Sequence, residues 1–173
     1  MSDLTDFREG KDAFFKSGDG SPLTPEQRRA FHALNYYAEN PALSLVIQPE
    51  VQRELETVEI ELSAGEPTDY VRWAKIPFVV AGEAAKLSVF KDEETGAIFL
   101  PFADATARGG ETYGGGRYLE VEELEDGRLL VDFNYAYNPY CAYNDRWACP
   151  LPPPENRLTV RIEAGERAFH EEK

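Results

Sequence analysis

Apolar positions along the chain follow two different periods. From Asp6 to Lys16, Phe7, Phe14 and Phe15 sit in a segment that runs from acidic to basic, and Gly18-Asp19-Gly20 closes it. That pattern predicts a first helix. Thr24-Pro25-Glu26-Gln27 is a second start signal. Thr24 can cap, Pro25 suits the first helical position, and Gln27 completes a capping box. Phe31, Leu34, Tyr37 and Ala38 then recur at helical spacing until Asn40-Pro41, which stops the helix. Beyond Pro41 the period becomes two. Strands are predicted over Leu43–Gln48, Leu55–Leu62, Tyr70–Val80, Ala85–Lys91, Ala97–Phe102, Gly116–Leu124, Arg128–Asn134 and Arg157–Ile162, separated by Gly, Pro, Asp and Asn turns. The expectation is a mainly β, α+β fold, an antiparallel β-barrel or bent sandwich of about eight strands with two N-terminal helices. One domain is expected over residues 1–173, with a helical segment over 1–40 packed on a β-rich core over 41–173. There is no internal repeat and no linker long enough to divide the chain.

The register of one hairpin decides which polar residues meet. If Asp126-Gly127 is a two-residue turn, Val121 faces Asp132 and Leu119 faces Asn134, which gathers Arg117, Asp132 and Asn134 on one face. In the alternative register Val121 faces Phe133, and Asp132 opposes Glu122, a like-charge pair that disfavours it. The first register is preferred, although the apolar pattern favours the second. A slip of one residue moves Asp132 and Asn134 between site and solvent.

Charge narrows the function classes. The chain has 32 acidic against 18 basic residues, a formal net charge of −14. A polyanion would be repelled, so no nucleic-acid partner is expected. Such acidity fits either an ordinary acidic cytosolic protein or a saline habitat. No apolar run is long enough to span a membrane, and the first fifteen residues are too acidic for a secretory signal. A cytoplasmic location is therefore expected, and the oligomeric state stays open.

Composition shifts sharply between Asp104 and Asn156, which holds six of the nine tyrosines, five of the twelve prolines and both cysteines. An ordinary core needs neither so much Tyr and Asn nor such dense turn chemistry. A shaped, polar-lined site is one explanation. Pro150, Pro152, Pro153 and Pro154 favour extended polyproline geometry, either as a rigid surface crossover or as a wall over one end of the barrel.

Known catalytic patterns are missing. His32 falls on the polar side of its predicted helix and His170 in a charged tail, and none of the six serines occupies a GxSxG elbow. No zinc-ligand spacing occurs, so neither metal nor cofactor is predicted. Cys141 and Cys149 read as two buried thiols, as a disulfide closing a nine-residue loop worth ~2.5 kcal/mol, or as nucleophile or metal ligands. Gly114-Gly115-Gly116-Arg117 could cradle an anion, but a strand rather than a helix follows, which favours a tight turn.

Three functional readings remain. In the first, a small polar or anionic molecule binds a site lined by Tyr113, Arg117, Asn134, Asn138 and Tyr143, with Tyr137 beside them. In the second, a hydrolase or lyase uses Asp132 as general acid/base, assisted by Tyr137 or Cys141. In the third, the block is structural, Arg117 pairs with Asp132 internally, and function lies in a partner surface.

The block also carries long, specific motifs. They are Phe102-Ala103-Asp104-Ala105-Thr106, Glu111-Thr112-Tyr113-Gly114-Gly115-Gly116-Arg117-Tyr118-Leu119, Asp132-Phe133-Asn134 and Ala136-Tyr137-Asn138-Pro139-Tyr140-Cys141-Ala142-Tyr143-Asn144. Cys149-Pro150-Leu151-Pro152-Pro153-Pro154-Glu155-Asn156 and Ala164-Gly165-Glu166 follow, with a weaker match at Phe31-His32-Ala33-Leu34-Asn35-Tyr36-Tyr37. On these stretches the chain resembles the family named "domain of unknown function 1684". The resemblance spans most of the chain and implies no activity, cofactor or partner.

Overall fold

The computed structural model describes residues 3–169, so His170 lies outside the described residues. Helix α1 (Asp3–Ser17) has Asp3 and Asp6 in its first turn and Lys16 in its last, as the helix dipole favours. Helix α2 (Pro25–Ala30) begins with the capping box anticipated at Thr24 and Gln27. It ends ten residues before the predicted stop at Asn40. The Lys16 ammonium donates to the carbonyls of Arg28 at 2.7 Å and Phe31 at 2.9 Å, closing the helix from outside. The next residues run extended instead. Tyr37 N–H donates to Gly165 O and Arg167 N–H to Asn35 O, so the aromatic pair Tyr36-Tyr37 joins the C-terminal segment.

The rest is mainly antiparallel β, giving an α+β fold with three α-helices among the described residues. Strands β2 (Glu50–Ile60), β3 (Thr68–Val80), β4 (Glu83–Asp92), β5 (Ile98–Phe102) and β6 (Arg117–Leu119) form a five-stranded sheet in that order. Strands β1 (Ser44–Ile47), β8 (Leu129–Asp132) and β7 (Glu122–Glu123) form a second sheet, ordered β1-β8-β7. Neither sheet closes on itself among the described residues. One core lies between them, with Phe102 and Phe78 both packed on Phe133 at ring-centroid distances of 5.3 and 5.5 Å.

Neither hairpin register considered above is adopted. Glu122 faces Leu130 and Glu123 faces Leu129 around a three-residue loop, Glu125-Asp126-Gly127. Gly127 supplies the left-handed position that loop requires, at φ +85°. The predicted strand Gly116–Leu124 is moreover split, because β6 pairs with β5 while β7 pairs with β8. Arg117 and Asp132 therefore belong to different sheets, and the ion pair expected between them does not form.

The predicted last strand, Arg157–Ile162, runs without a ladder of its own. It touches the residue that follows β5 and the unanticipated helix α3 (Ala105–Arg108) through Leu158 N–H to Ala103 O and Ala105 N–H to Val160 O. The proline segment before it crosses the five-stranded sheet. Leu151 N–H donates to Glu61 O beyond β2, Tyr118 OH on β6 donates to Pro150 O, and Asn156 reaches β4 and β5.

Candidate functional site

The Asp104–Asn156 block and its neighbours divide into three side-chain clusters. The first is structural. Arg117 is 1% exposed, and its guanidinium donates to Asp104 at 3.2 Å, to the carbonyls of Ile162 at 3.0 Å and Glu166 at 3.1 Å, and to that of Ala164. Asp104 in turn accepts from Thr106 Oγ1 at 2.8 Å and Ile162 N–H at 2.6 Å. Arg117 thus holds the irregular C-terminal segment, and its donors are consumed by backbone. Gly116 beside it has φ +92°, and a Cβ there would meet Phe102 O at 2.7 Å. The glycine run is a tight turn, with Gly116 N–H bonded to Tyr113 O. Asn134 is likewise engaged. It exchanges two hydrogen bonds with the backbone of Asn40, and both its nitrogens donate to Asp132.

The second cluster joins Tyr113, Cys141 and Cys149. Tyr113 OH lies 3.5 Å from Cys141 Sγ, and Cys141 N–H donates to Cys149 Sγ at 3.4 Å. Burial pushes the Cys149 thiol up to about 11.

The third cluster lies beneath α1. Phe7, Lys11 and Phe14, spaced along one helix face, form one wall of a groove of ≈ 880 Å³. The facing wall comes from Val121 and Glu122, from Leu130 and Asp132 of β8, and from the segment Tyr135 to Tyr140. Behind the lining residues Lys11 and Asn138, Glu166, 1% exposed, accepts from Asn138 N–H at 2.6 Å, Tyr143 OH at 3.1 Å and the Lys11 ammonium at 3.2 Å. The same ammonium stands 5.0 Å from the Tyr137 ring centroid. Burial, then the Glu166 charge, drives the Tyr143 phenol well above its ordinary value. Tyr137 is pushed up to about 12, again chiefly by burial. Asn138 is 2% exposed; its amide nitrogen donates to Arg167 O at 3.0 Å, while its Oδ1 is buried with no hydrogen-bond partner.

Asp132, Tyr137 and Asn138 therefore share this groove. Tyr143 lies behind them, Arg117 and Asn134 serve backbone elsewhere, and Tyr113 and Cys141 form the thiol cluster. Sequence reasoning missed Lys11 and Glu166. Glu166 stood in the Ala164-Gly165-Glu166 motif, whereas a single lysine on a helix gives no signal. Among the described residues, no group of three His, Cys, Asp or Glu side chains could hold a metal ion. No helix there is long and apolar enough to cross a membrane.

The family model described as "Protein of unknown function (DUF1684)" matches residues 29–167. The chain belongs to that family. The match includes Asn138 and Glu166 but begins after α1. The solution structure of an uncharacterized protein from Haloarcula marismortui is similar over 95% of this chain and 91% of its own, with 38% identity and a TM-score of 0.71. No curated protein matches the chain.

Proposed function

We propose that the groove between α1 and β8 binds a small polar molecule that combines an apolar body with a hydrogen-bond donor. The observation that carries this reading is Asn138, which lines the groove and holds a buried Oδ1 without a hydrogen-bond partner. Leaving such a group unmatched costs ~1–3 kcal/mol, which a donor on a ligand would recover. Phe7 and Phe14, 43% and 37% exposed, offer apolar faces for the rest of the molecule.

Charge refines the ligand class. Asp3, Glu120, Glu122 and Asp132 line the groove, and its one lysine, Lys11, is already matched by Glu166. A neutral or cationic ligand is favoured over an anionic one. The reading treats the chain as one cytoplasmic domain in which the two sheets act as halves of a bent sandwich and α1 covers one side.

A thermal-shift screen of neutral, amine and carboxylate metabolites tests it. A neutral or amine hit should raise the melting midpoint of the wild type, and both Phe14→Ala and Asn138→Leu should abolish the rise. Phe14 is exposed enough for its variant to fold whatever happens at Asn138. A screen without hits, or hits that survive both substitutions, sinks the proposal. A hydrolase or lyase reading would use the same groove through Asp132 and Tyr137. Loss of ester, phosphate or glycoside turnover in Asp132→Asn would support that alternative, and full turnover would remove it.

A further inference from the structure

Both cysteines lie outside the groove, and the binding proposal makes no use of them. Cys149 is fixed to Ser63, in the turn that follows β2, by a pair of bonds, its N–H to Ser63 Oγ at 3.0 Å and its carbonyl from Ser63 N–H at 2.8 Å. Cys141 sits in a helical turn (Tyr140–Ala142), and the chain between the cysteines is tied to Pro22 O by the Asn144 and Arg146 side chains. These anchors hold the two sulfurs together. Cys141 N–H donates to Cys149 Sγ at 3.4 Å, which puts the two residues in direct contact. Both are free thiols in this structure.

Two alternatives are weaker. A tetrahedral metal site needs about four ligands, and no third His, Cys, Asp or Glu joins the pair among the described residues. Packing alone would account for Cys149, which is buried, but Cys141 remains half-exposed beside the Tyr113 hydroxyl.

We propose that Cys141 and Cys149 are a site of thiol–disulfide exchange, closing an intramolecular bond in the presence of a small-molecule disulfide such as oxidised glutathione. Accessibility sets the order of events. The Cys141 thiolate, formed by loss of its proton to solvent and supported by the Tyr113 hydroxyl, attacks one sulfur of the reagent. The reagent's S–S bond breaks, one glutathione thiolate leaves, and Cys141 carries the other half as a mixed disulfide. Cys149 then loses its proton and attacks Cys141 Sγ, forming the Cys141–Cys149 bond and expelling the second glutathione thiolate. The two protons released by the cysteines are taken up by the two leaving thiolates. The protein pair is oxidised by two electrons and the reagent is reduced by two.

The full-length protein, equilibrated in mixtures of reduced and oxidised glutathione and then alkylated under denaturing conditions, tests this by intact mass. Both thiols should disappear together as the mixture becomes more oxidising. The oxidised monomer should be lighter by two hydrogens and take up no alkylating group, and dithiothreitol should restore both thiols. Cys149→Ser should stop at the mixed disulfide on Cys141. Two alkylatable thiols in fully oxidised buffer, glutathione persisting on wild-type Cys141, or disulfide-linked dimers on a non-reducing gel would each overturn the proposal. The wild-type readout does not depend on any variant folding, and none of these outcomes bears on the groove.

Discussion

Asn156 replaces a missing stretch of β-ladder, and its substitution gives a sharp test of that role. Strands β4 and β5 pair only at Phe90–Phe99 and Lys91–Ile98, then separate. Ser88 on β4 and Pro101 on β5 are left facing each other without a ladder between them. The Asn156 amide fills the gap. Its Oδ1 accepts from Ser88 N–H, and its Nδ2 donates to Ser88 O and to Pro101 O, all at 2.8 Å. Asn156 is fully buried. In Asn156→Ala three backbone groups lose their partners, each at a cost of ~1–3 kcal/mol, for a loss of ~3–9 kcal/mol. Whole-protein stabilities are ~5–15 kcal/mol, so the urea midpoint should fall by about a fifth or more. Asn156→Asp is the more telling variant. It keeps the acceptor for Ser88 N–H but turns a buried carboxylate towards two carbonyl oxygens. It should be no more stable than the Ala variant at neutral pH. Because that environment raises the folded-state pKa of the new carboxyl, stability should recover as pH falls and the acid gains a proton to donate. Urea unfolding followed by tryptophan fluorescence at two pH values measures all three proteins. An Asp variant more stable than the Ala variant at neutral pH would refute the ladder argument, as would losses within ~1 kcal/mol of wild type.

Arg117→Ala strands the Asp104 carboxylate and three carbonyls, and should lower stability by ~3–5 kcal/mol. Asp104→Ala should cost a similar amount and the double variant much less than the sum; additive midpoints in chemical unfolding would remove the coupling. At alkaline pH, Tyr36, Tyr118, Tyr137 and Tyr143 all ionise above the ordinary phenol value of 10.0, chiefly because of burial. Their contribution is fully present below that value and is lost as pH climbs through the folded value, about 12 for Tyr137. Phenolate absorbance should therefore rise steeply together with loss of structure; a smooth rise while the far-ultraviolet signal stays native would contradict this.

What could be read in the sequence was local. The capping box at Thr24 and Gln27 and most of the turn-bounded strands depend on neighbouring residues alone, and they form as expected. The end of α2 was hidden because Lys16, a residue of another helix, satisfies its last carbonyls. The hairpin was misjudged for a related reason. Its register rests on one left-handed glycine, and the strand leading into it changes sheets after Leu119. Side-chain roles were least legible. Arg117 and Asn134 have the chemistry of ligand-binding residues, but nothing near them in sequence says which distant carbonyls lack a ladder. The same holds for Lys11, whose partner Glu166 is 155 positions away.

The missing ladders account for much of the composition that first drew attention to the block. A C-terminal segment that is buried yet irregular cannot leave its amides and carbonyls unmatched, so side chains must supply what strands elsewhere provide. Asp104 and Arg117 serve Ile162, Ala164 and Glu166; Asn134 serves Asn40; Asn156 serves Ser88 and Pro101. Glu166 does the same for Asn138. Each of these residues is explained without a ligand, and each is buried where water could not take its place. Asn138 breaks the pattern. Its nitrogens are engaged in the same way, but its buried Oδ1 remains unmatched, and Asn138 lines a groove large enough for a small molecule. Trp147 Nε1 and Arg8 Nε are also unmatched, yet neither residue lines that groove, and the Arg8 guanidinium already donates to Tyr37 O at 3.0 Å. Of the three unmatched atoms, Asn138 Oδ1 alone belongs to a groove residue, and on the binding proposal it is the acceptor that a donor from outside the chain would meet.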